Sequence, residues 1–367
     1  MIEKTTIDRI LSDYDKERIT IATACSHSAL QIFHGAKKEG YRTLGICKRD
    51  RKHVYDSFPY GKPDKYIIVD EFSDVLLPRI QEELVENNSI IVPHGSFVEY
   101  VGPKELEAKF CVPMFGNRKT LEWERDREKQ RKWLVKAGLV LPEAYDSIPE
   151  DGRKTFVKLS GAKGGRGFFT VASRRELERK LMERVKQGII PREEARNLTF
   201  QEFIPGVRYY SHYFYSLLED KGPGMKEGRV ELLSMDKRIE PIDESYRGLP
   251  KIPEEFFDYT VTGNQPIVIR ESFLPAVMEM GINTVNVSKT LFPPGMLGAF
   301  CLETIYNPRR GFTVFEISAR IVAGTNLFPE GSPYSCYLFN EPMSTGRRIA
   351  REIRTAAKTE KLTRIIY

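Results

Sequence analysis

The sequence has no Cys-x-x-Cys pair, no long apolar run, no tail of one charge and no internal repeat. Each absence excludes a class. The five cysteines, Cys25, Cys47, Cys111, Cys301 and Cys336, are odd in number and far apart. They indicate neither a zinc site nor a disulfide framework and fit a reducing cytoplasm. No apolar stretch could span a bilayer. The opening MIEKTTIDRILSDYDKER is charged and amphipathic and lacks the apolar core of a signal peptide. Basic residues number 57 and acidic residues 51, a net charge of +6, but the two signs are interleaved. That balance favours anionic small molecules as partners over nucleic acid.

What is present is an ordinary globular composition, 41% apolar and 29% charged, over 367 residues. That length implies two or three domains. The first third alternates short apolar runs with helical patterns. ITIATA (19–24), TLGIC, YIIVD and SIIV read as strands, and SALQIFHGAKKEG and VLLPRIQEELVEN as helices. This rhythm predicts a parallel sheet covered on both faces, with ligands beyond the carboxyl ends of its strands. Two of those ends carry polar residues, CSHS (25–28) and PHGS (93–96). VPMFGNR (112–118) is a break. LEWERDREKQRKWLVKAG then reads as one strongly charged helix, stopped by Gly138 and Pro142. The remainder reads as α+β, with strands at LTFQEFI, VRYYSHYFYSLL, VELLSMDKRIE, GAFCLETIY and GFTVFEISARI and a closing helix at STGRRIAREIRTAAK.

Residues 157–169 read VKLSGAKGGRGFF, a glycine loop between two strands of a hairpin. It is not a Walker A element, which needs Gly-Lys-Ser/Thr and a following helix, nor a dinucleotide fingerprint. Glycines let backbone approach a ligand closely, and Lys163 and Arg166 add charge. Alone, the loop is equally a solvated hairpin tip or a cover for phosphates. Glu303 and Glu316 lie on neighbouring strands joined by a short NPRRG turn. Hairpin geometry lets both carboxylates face one side, where they are either a charged cross-strand feature or a Mg²⁺ site completed by phosphate oxygens.

Taken together, these segments resemble the ATP-grasp superfamily. VKLSGAKGGRGFF resembles its glycine-rich lid, with Lys158 on the preceding strand and Lys163, Gly164, Gly165 and Arg166 over the phosphates of ATP. DREKQRKWLVKAGLVLP resembles the segment that opens the ATP-binding half, with Arg127 reaching the phosphates. QEFIPG (201–206) resembles the hinge strand, so that Gln201, Glu202 and Ile204 would receive adenine. CLET and FEISAR resemble the strands whose acids, here Glu303 and Glu316, hold Mg²⁺ or Mn²⁺. Superfamily members often carry Glu-x-Asn where this chain has Glu316-Ile317-Ser318. Arg320 would neutralise the transferred phosphoryl group, with Asn326 as a second candidate for that corner.

A closer resemblance covers the chain from about residue 18 to its end. IATACSHSALQIFHGAKKEG, IIVPHGSF, VPMFGNR, KGGRGFF, HYFYS, MDKRIE, TGNQPIVIRES, FCLE, FEISARIVAGTN and STGRRIAREI are similar, in order, to the archaeal PurP family of formate-dependent 5-formaminoimidazole-4-carboxamide ribonucleotide (FAICAR) synthetases. That resemblance implies an ATP-grasp fold, α/β then α+β, with an N-terminal Rossmann-like parallel-sheet domain. It divides the chain into 1–118 (Rossmann-like), 119–205 (small lid subdomain with a linking helix) and 206–367 (catalytic subdomain). It implies a cytoplasmic ligase using ATP, formate and 5-aminoimidazole-4-carboxamide ribonucleotide (AICAR) through a formyl phosphate intermediate, assembled as a closed homo-oligomer such as a hexamer. His27, Ser96 and Asn264 would contact AICAR, Glu240 would contact ATP, and Arg320 and Lys158 would be catalytic. His94, which precedes the GSF turn, would face the substrate, and His212, alternating with aromatics, would pack within its sheet. Two other readings remain: an ATP-grasp paralogue using another carboxylate or nucleotide, and a non-catalytic nucleotide-binding protein.

Overall fold

The computed structural model describes residues 2–159, 168–240 and 259–367. After helix α1 (Lys4–Ser12), strands β1 (Thr20–Ala24), β2 (Arg42–Lys48), β3 (Lys65–Val69) and β4 (Ser89–Ile91) form a parallel sheet ordered β3-β2-β1-β4. All five residues of β1 are buried, as expected for a strand covered on both faces. Helices α2 (Ala29–Lys38), α3 (Lys52–Asp56) and α4 (Pro78–Glu86) lie in the crossovers. Gly40 ends the α2 segment with φ +83°, a conformation that favours glycine. Because β2 lies on one side of β1 and β4 on the other, the order reverses at β1 and opens a cleft beyond the ends of β1 and β4.

Helix α5 (Pro103–Lys109) leads to the charged stretch, where the structure corrects the sequence reading. Instead of one helix there are two, α6 (Lys119–Arg125) and α7 (Arg127–Lys136). Asp126 turns extended between them (ψ 113°), and its Oδ1 accepts from the backbone N–H groups of Glu128 (3.0 Å) and Lys129 (3.1 Å). A residue that caps a new helix start cannot also continue the old helix. The break places Arg127 at the first position of α7.

A second, antiparallel sheet contains β5 (Ala144–Tyr145), β6 (Thr155–Leu159), β7 (Phe169–Val171) and β8 (Leu198–Glu202), ordered β5-β8-β6-β7. Its apolar side packs on α8 (Arg174–Lys186) through Leu177, Leu181 and Val185. As expected, β6 and β7 pair as a hairpin, Thr155 opposite Val171.

The third sheet is built from β9 (Val207–Ser216), β10 (Arg229–Ile239), β11 (Gly263–Pro266), β12 (Gly298–Asn307) and β13 (Gly311–Ser318), ordered β11-β10-β9-β12-β13. Helix α9 (Leu274–Leu291), which the sequence reading did not separate, buries Val277 and Val285 with Tyr213, Phe300 and Leu302. Trp133 of α7 joins that cluster, and its indole N–H donates to the Thr284 carbonyl at 2.9 Å. The other sheet face receives α10 (Pro333–Phe339) and α11 (Thr345–Lys358). Helix α11 lies against both the sheet and α2. Ile349 and Ile353 share one core with Ile7, Ile19 and Ile32 of the first layer and with Phe214 of β9. Contact is close because a Cβ on Gly35 would stand 2.2 Å from the Arg347 nitrogen, and one on Gly346 would stand 2.4 Å from the Gln31 carbonyl. Inside this junction Arg348 pairs with Glu231 and Glu352, each at 2.8 Å.

Candidate active site

The two polar strand ends meet at the cleft. After β1 the chain turns through His27, in a left-handed conformation (φ 52°), before α2 begins. The His27 Nδ1 lies 2.7 Å from the Ser28 hydroxyl, and the ring does not cap the helix. After β4 come His94, Gly95 and Ser96. Contrary to the expectation that it faces substrate, His94 is fully buried behind His27 and stacks on it, centroids 5.3 Å apart and planes 3° apart. Its Nε2–H donates to the Ala24 carbonyl (2.9 Å), which leaves Nδ1 to accept from the Ser96 N–H (3.2 Å). Burial pushes its pKa down to about 4, so it is a neutral prop for its neighbour. Desolvation, then Arg320, His94 and Arg238, also hold His27 well below the usual imidazole range. A Cβ on Gly95 would stand 3.0 Å from the His27 ring and 3.4 Å from Arg320 Nη2, so only glycine leaves that corner open.

His27, Gly95 and Ser96 line one end of a cavity of about 650 Å³. Glu303 and Glu316 lie on its floor. They are directly opposite each other in the β12–β13 register, beside a bulge. Burial and then the Glu316 charge push the Glu303 carboxyl up to about 7. Burial also pushes Glu316 up, but Arg127 and Lys158 outweigh it and hold that carboxyl below its usual range. Arg127 Nη1 lies 3.2 Å from Glu316 Oε2, a pairing that depends on the helix break at Asp126. Lys158 is buried with its ammonium 5.4 Å from the centre of the Phe315 ring, and burial lowers its pKa to about 8. Among the described residues no three His, Cys, Asp or Glu side chains form a metal cage. Two crowded carboxylates, one of them in no ion pair among the described residues, suit an ion that takes its remaining oxygens from a phosphate chain and water. Where superfamily members often have asparagine, the Ser318 hydroxyl donates to Glu303 Oε1 at 3.3 Å.

Gln201, Glu202 and Ile204 line the cavity beside Phe203, as does Glu240. The Glu202 side chain is engaged by Arg310 and by the Glu143 N–H, and Glu240 is ion-paired to Arg208. Arg320 also lines it, held 3.1 Å from buried Glu124, which in turn accepts from the Ala319 N–H at 2.7 Å. Asn264 stands apart, on β11 opposite Arg238, and does not line the cavity formed by the described residues. Its amide oxygen is buried without a hydrogen bond among them. Asn326 donates to the His27 carbonyl at 3.0 Å. His212 is buried and hydrogen-bonded within its sheet, as read from the sequence. Lys163, Gly164, Gly165 and Arg166 lie outside the described residues.

Sequence reasoning missed Glu124, which holds Arg320, and Lys154, Arg208, Tyr210 and Arg238, which line the cavity. For those on strands the signal is register: Arg238 stands two residues before Glu240 and so shares its face.

Two family models match the chain, a domain of unknown function, DUF1297, over residues 176–367 and a protein of unknown function, DUF1246, over residues 21–145. A protein of Korarchaeum cryptofilum named 5-formaminoimidazole-4-carboxamide-1-(beta)-D-ribofuranosyl 5'-monophosphate synthetase is 50% identical over 100% of both chains. The crystal structure of an IMP biosynthesis protein PurP from Thermococcus kodakaraensis is 32% identical with a TM-score of 0.73, over 95% of this chain and 100% of that one. N5-carboxyaminoimidazole ribonucleotide synthetase from Thermotoga maritima, at 15% identity and a TM-score of 0.58 over 92% of this chain and 76% of that one, shares the fold alone. The fold is ATP-grasp, with the parallel sheet as its N-terminal layer.

Proposed function

The chain belongs to the family of 5-formaminoimidazole-4-carboxamide ribonucleotide synthetases, and from that membership we propose that its cavity converts AICAR, formate and ATP to FAICAR, ADP and phosphate. The enzyme is an ATP-dependent ligase of purine biosynthesis. One observation carries the reading at atomic level. The cations Arg127, Lys158 and Arg320, a register-paired couple of acids and the His27–Ser96 turn line a single cavity.

A formate oxygen attacks the γ-phosphorus and the bond to ADP breaks, giving formyl phosphate. The AICAR amine then attacks the formyl carbon, phosphate leaves, and the amine proton is lost. Arg127 and Lys158 bind the phosphate chain, and Arg320 neutralises the phosphoryl group in transfer. Gln201, Glu202 and Ile204 receive adenine, the latter two by backbone and apolar contact, with Glu240 at the far wall. Glu303 and Glu316 would hold Mg²⁺, which supplies charge neutralisation on the phosphates when bound. With Nδ1 engaged by the Ser28 hydroxyl, the neutral His27 ring offers Nε2 to the AICAR carboxamide, with Ser96 beside it; Asn264 would complete that contact from β11. Three parts, 1–118, 119–205 and 206–367, divide the labour, with α7 anchored by Trp133 to the third. We place the reaction in the cytoplasm and the protein in a closed homo-oligomer, a hexamer being the form for light scattering to test.

Formate-dependent ADP release in the presence of AICAR tests the activity. Release with another carboxylate and none with formate would assign a different acid; binding of ATP without turnover for any acid would make the protein a sensor. His27→Ala should weaken AICAR binding about tenfold by calorimetry, the size of one or two lost hydrogen bonds, with ATP affinity unchanged. An unaltered AICAR affinity removes His27 from the site. Lys158 gives a pH signature. Its ordinary value is 10.5 and its value here about 8, so its charge is present below pH 8 and lost as pH rises through it. The KM for ATP should therefore climb several-fold between pH 7 and pH 9. In Lys158→Met it should be high throughout and nearly flat over that range; a wild-type profile in that variant excludes Lys158 as the cause.

A further inference from the structure

Of the cations at the cavity, Arg127 is paired with Glu316 and Arg320 with Glu124, whereas Arg238 has no role in the reaction as described above. It ends a chain of buried polar groups on one face of the third sheet. Strand β9 lies between β10 and β12, with His212 opposite Ser234 on one side and Cys301 on the other. The His212 ring bridges two β10 side chains, Nδ1 lying 2.7 Å from the Ser234 hydroxyl and Nε2 2.7 Å from Asp236 Oδ1. A carboxylate only accepts, so Nε2 carries the hydrogen. The other oxygen, Oδ2, accepts from Arg238 Nε at 3.1 Å. A Cβ on Gly324 would stand 2.2 Å from Asp236 Oδ1, so the carboxylate is seated against bare backbone and cannot swing that way. The guanidinium lies over the Tyr210 ring, 4.2 Å from its centre.

Arg238 is thus fixed on one edge and one face. Its Nη2 is buried and makes no hydrogen bond among the described residues, and the side chain lines the cavity. Arg320 Nε is likewise buried without a bond among them. Both guanidiniums act electrostatically on His27 and on Glu303, so they stand at the corner between the AICAR turn and the acid pair. A buried guanidinium with open donors is matched by a small planar anion, since a carboxylate accepts two parallel N–H bonds. A phosphoryl acceptor must enter at that corner, between the phosphate chain and the amine.

Building on the reading of the site above, we infer that Arg238 is the binding residue for the small carboxylate substrate, and that Asp236 and His212 are positioning residues that aim it. The positioning pair touches no substrate; it removes the rotational freedom of the guanidinium before the acid arrives.

The test compares wild type, Arg238→Gln, Arg238→Lys and Asp236→Asn, each first checked for an intact thermal transition, by steady-state kinetics with each substrate varied in turn. Arg238→Gln should raise the KM for formate about 10- to 100-fold, the size of a lost charge-assisted pair, and change the KM for ATP and for AICAR less than twofold. Arg238→Lys, which keeps the charge and loses the fork, should fall between it and wild type and serves if Arg238→Gln does not fold. Asp236→Asn should raise the KM for formate about threefold or more with kcat altered less; a merely structural Asp236 would move every parameter together. If only the KM for AICAR rises, or all three rise alike, the assignment is wrong. Wild-type turnover with another small carboxylate would overturn formate but not Arg238, provided the selective loss follows the acid that works. If no acid turns over, formate is titrated calorimetrically into protein holding a non-hydrolysable ATP analogue and AICAR. Affinity lost in Arg238→Gln supports the inference, and affinity retained, or no binding to wild type, overturns it.

Discussion

Glu303→Gln is expected to cut turnover by about 10³-fold or more and, at the same time, to raise the thermal midpoint of the ligand-free protein at pH 8. The two effects share one cause. The Glu303 carboxyl is buried opposite Glu316, and its pKa is pushed up to about 7 from an ordinary 4.5. The folded state therefore holds that proton more tightly than the unfolded chain does. The stability it contributes is full below pH 4.5 and is lost as pH rises through 7, so at pH 8 the ionised group strains the fold. Glutamine removes the charge, keeps the shape and recovers on the order of 1–3 kcal/mol, since each pKa unit is worth about 1.4 kcal/mol. Glu316→Gln should lose activity as fully but lower the midpoint, because it removes the carboxylate that lies 3.2 Å from the buried Arg127 guanidinium. Turnover near wild type in Glu303→Gln would falsify the metal assignment. A lower midpoint in that variant would show that the carboxylate pair is not under strain.

Arg348→Met should have the largest effect on stability alone. Arg348 is 1% exposed, its Nε 2.8 Å from Glu231 Oε2 and its Nη1 2.8 Å from Glu352 Oε2. Its guanidinium lies over Phe214, 4.4 Å from the ring centre. Removing it leaves two buried carboxylates, of which only Glu231 keeps another close cation among the described residues, Arg229 Nη2 at 2.9 Å from Oε1. Breaking such a pair from one side costs about 3–5 kcal/mol, and Arg229 argues for the lower end. Denaturant unfolding of the single variant should show that loss. Arg348→Met combined with Glu231→Leu and Glu352→Leu should recover most of it. Turnover of folded protein should be unaffected, because Glu231 is seven residues from Arg238 along β10, about 23 Å of extended strand. A single variant as stable as wild type would mean that the cluster contributes nothing.

These effects trace which parts of the molecule could be read from residues alone. The parallel sheet was legible because its strands are continuous apolar runs between amphipathic helices. The acid pair was legible because a short turn brings Glu303 and Glu316 close together, though the register that makes them direct neighbours was not. The break at Asp126 escaped because aspartate is tolerated inside a charged helix; only its capping of Glu128 and Lys129 shows that it starts a new one. Helix α9 escaped because its sequence is apolar around much of its circumference, although only the stripe from Val277 to Ser288 is buried, and so lacks a clear polar face. Arg238 and His94 were hidden for opposite reasons. An arginine in a strand looks like a solvated charge until its neighbours across the sheet are known. A histidine in a polar turn looks like a ligand until another histidine is found in front of it.

The seating of α11 against α2 also bears on how the protein is made. Ile349 and Ile353 complete a core that begins with Ile7, Ile19 and Ile32. During synthesis, then, the first layer emerges from the ribosome more than 300 residues before its cover, and α2 must wait with an apolar flank uncovered. Domains usually fold in the order they emerge; here the earliest can only be finished last.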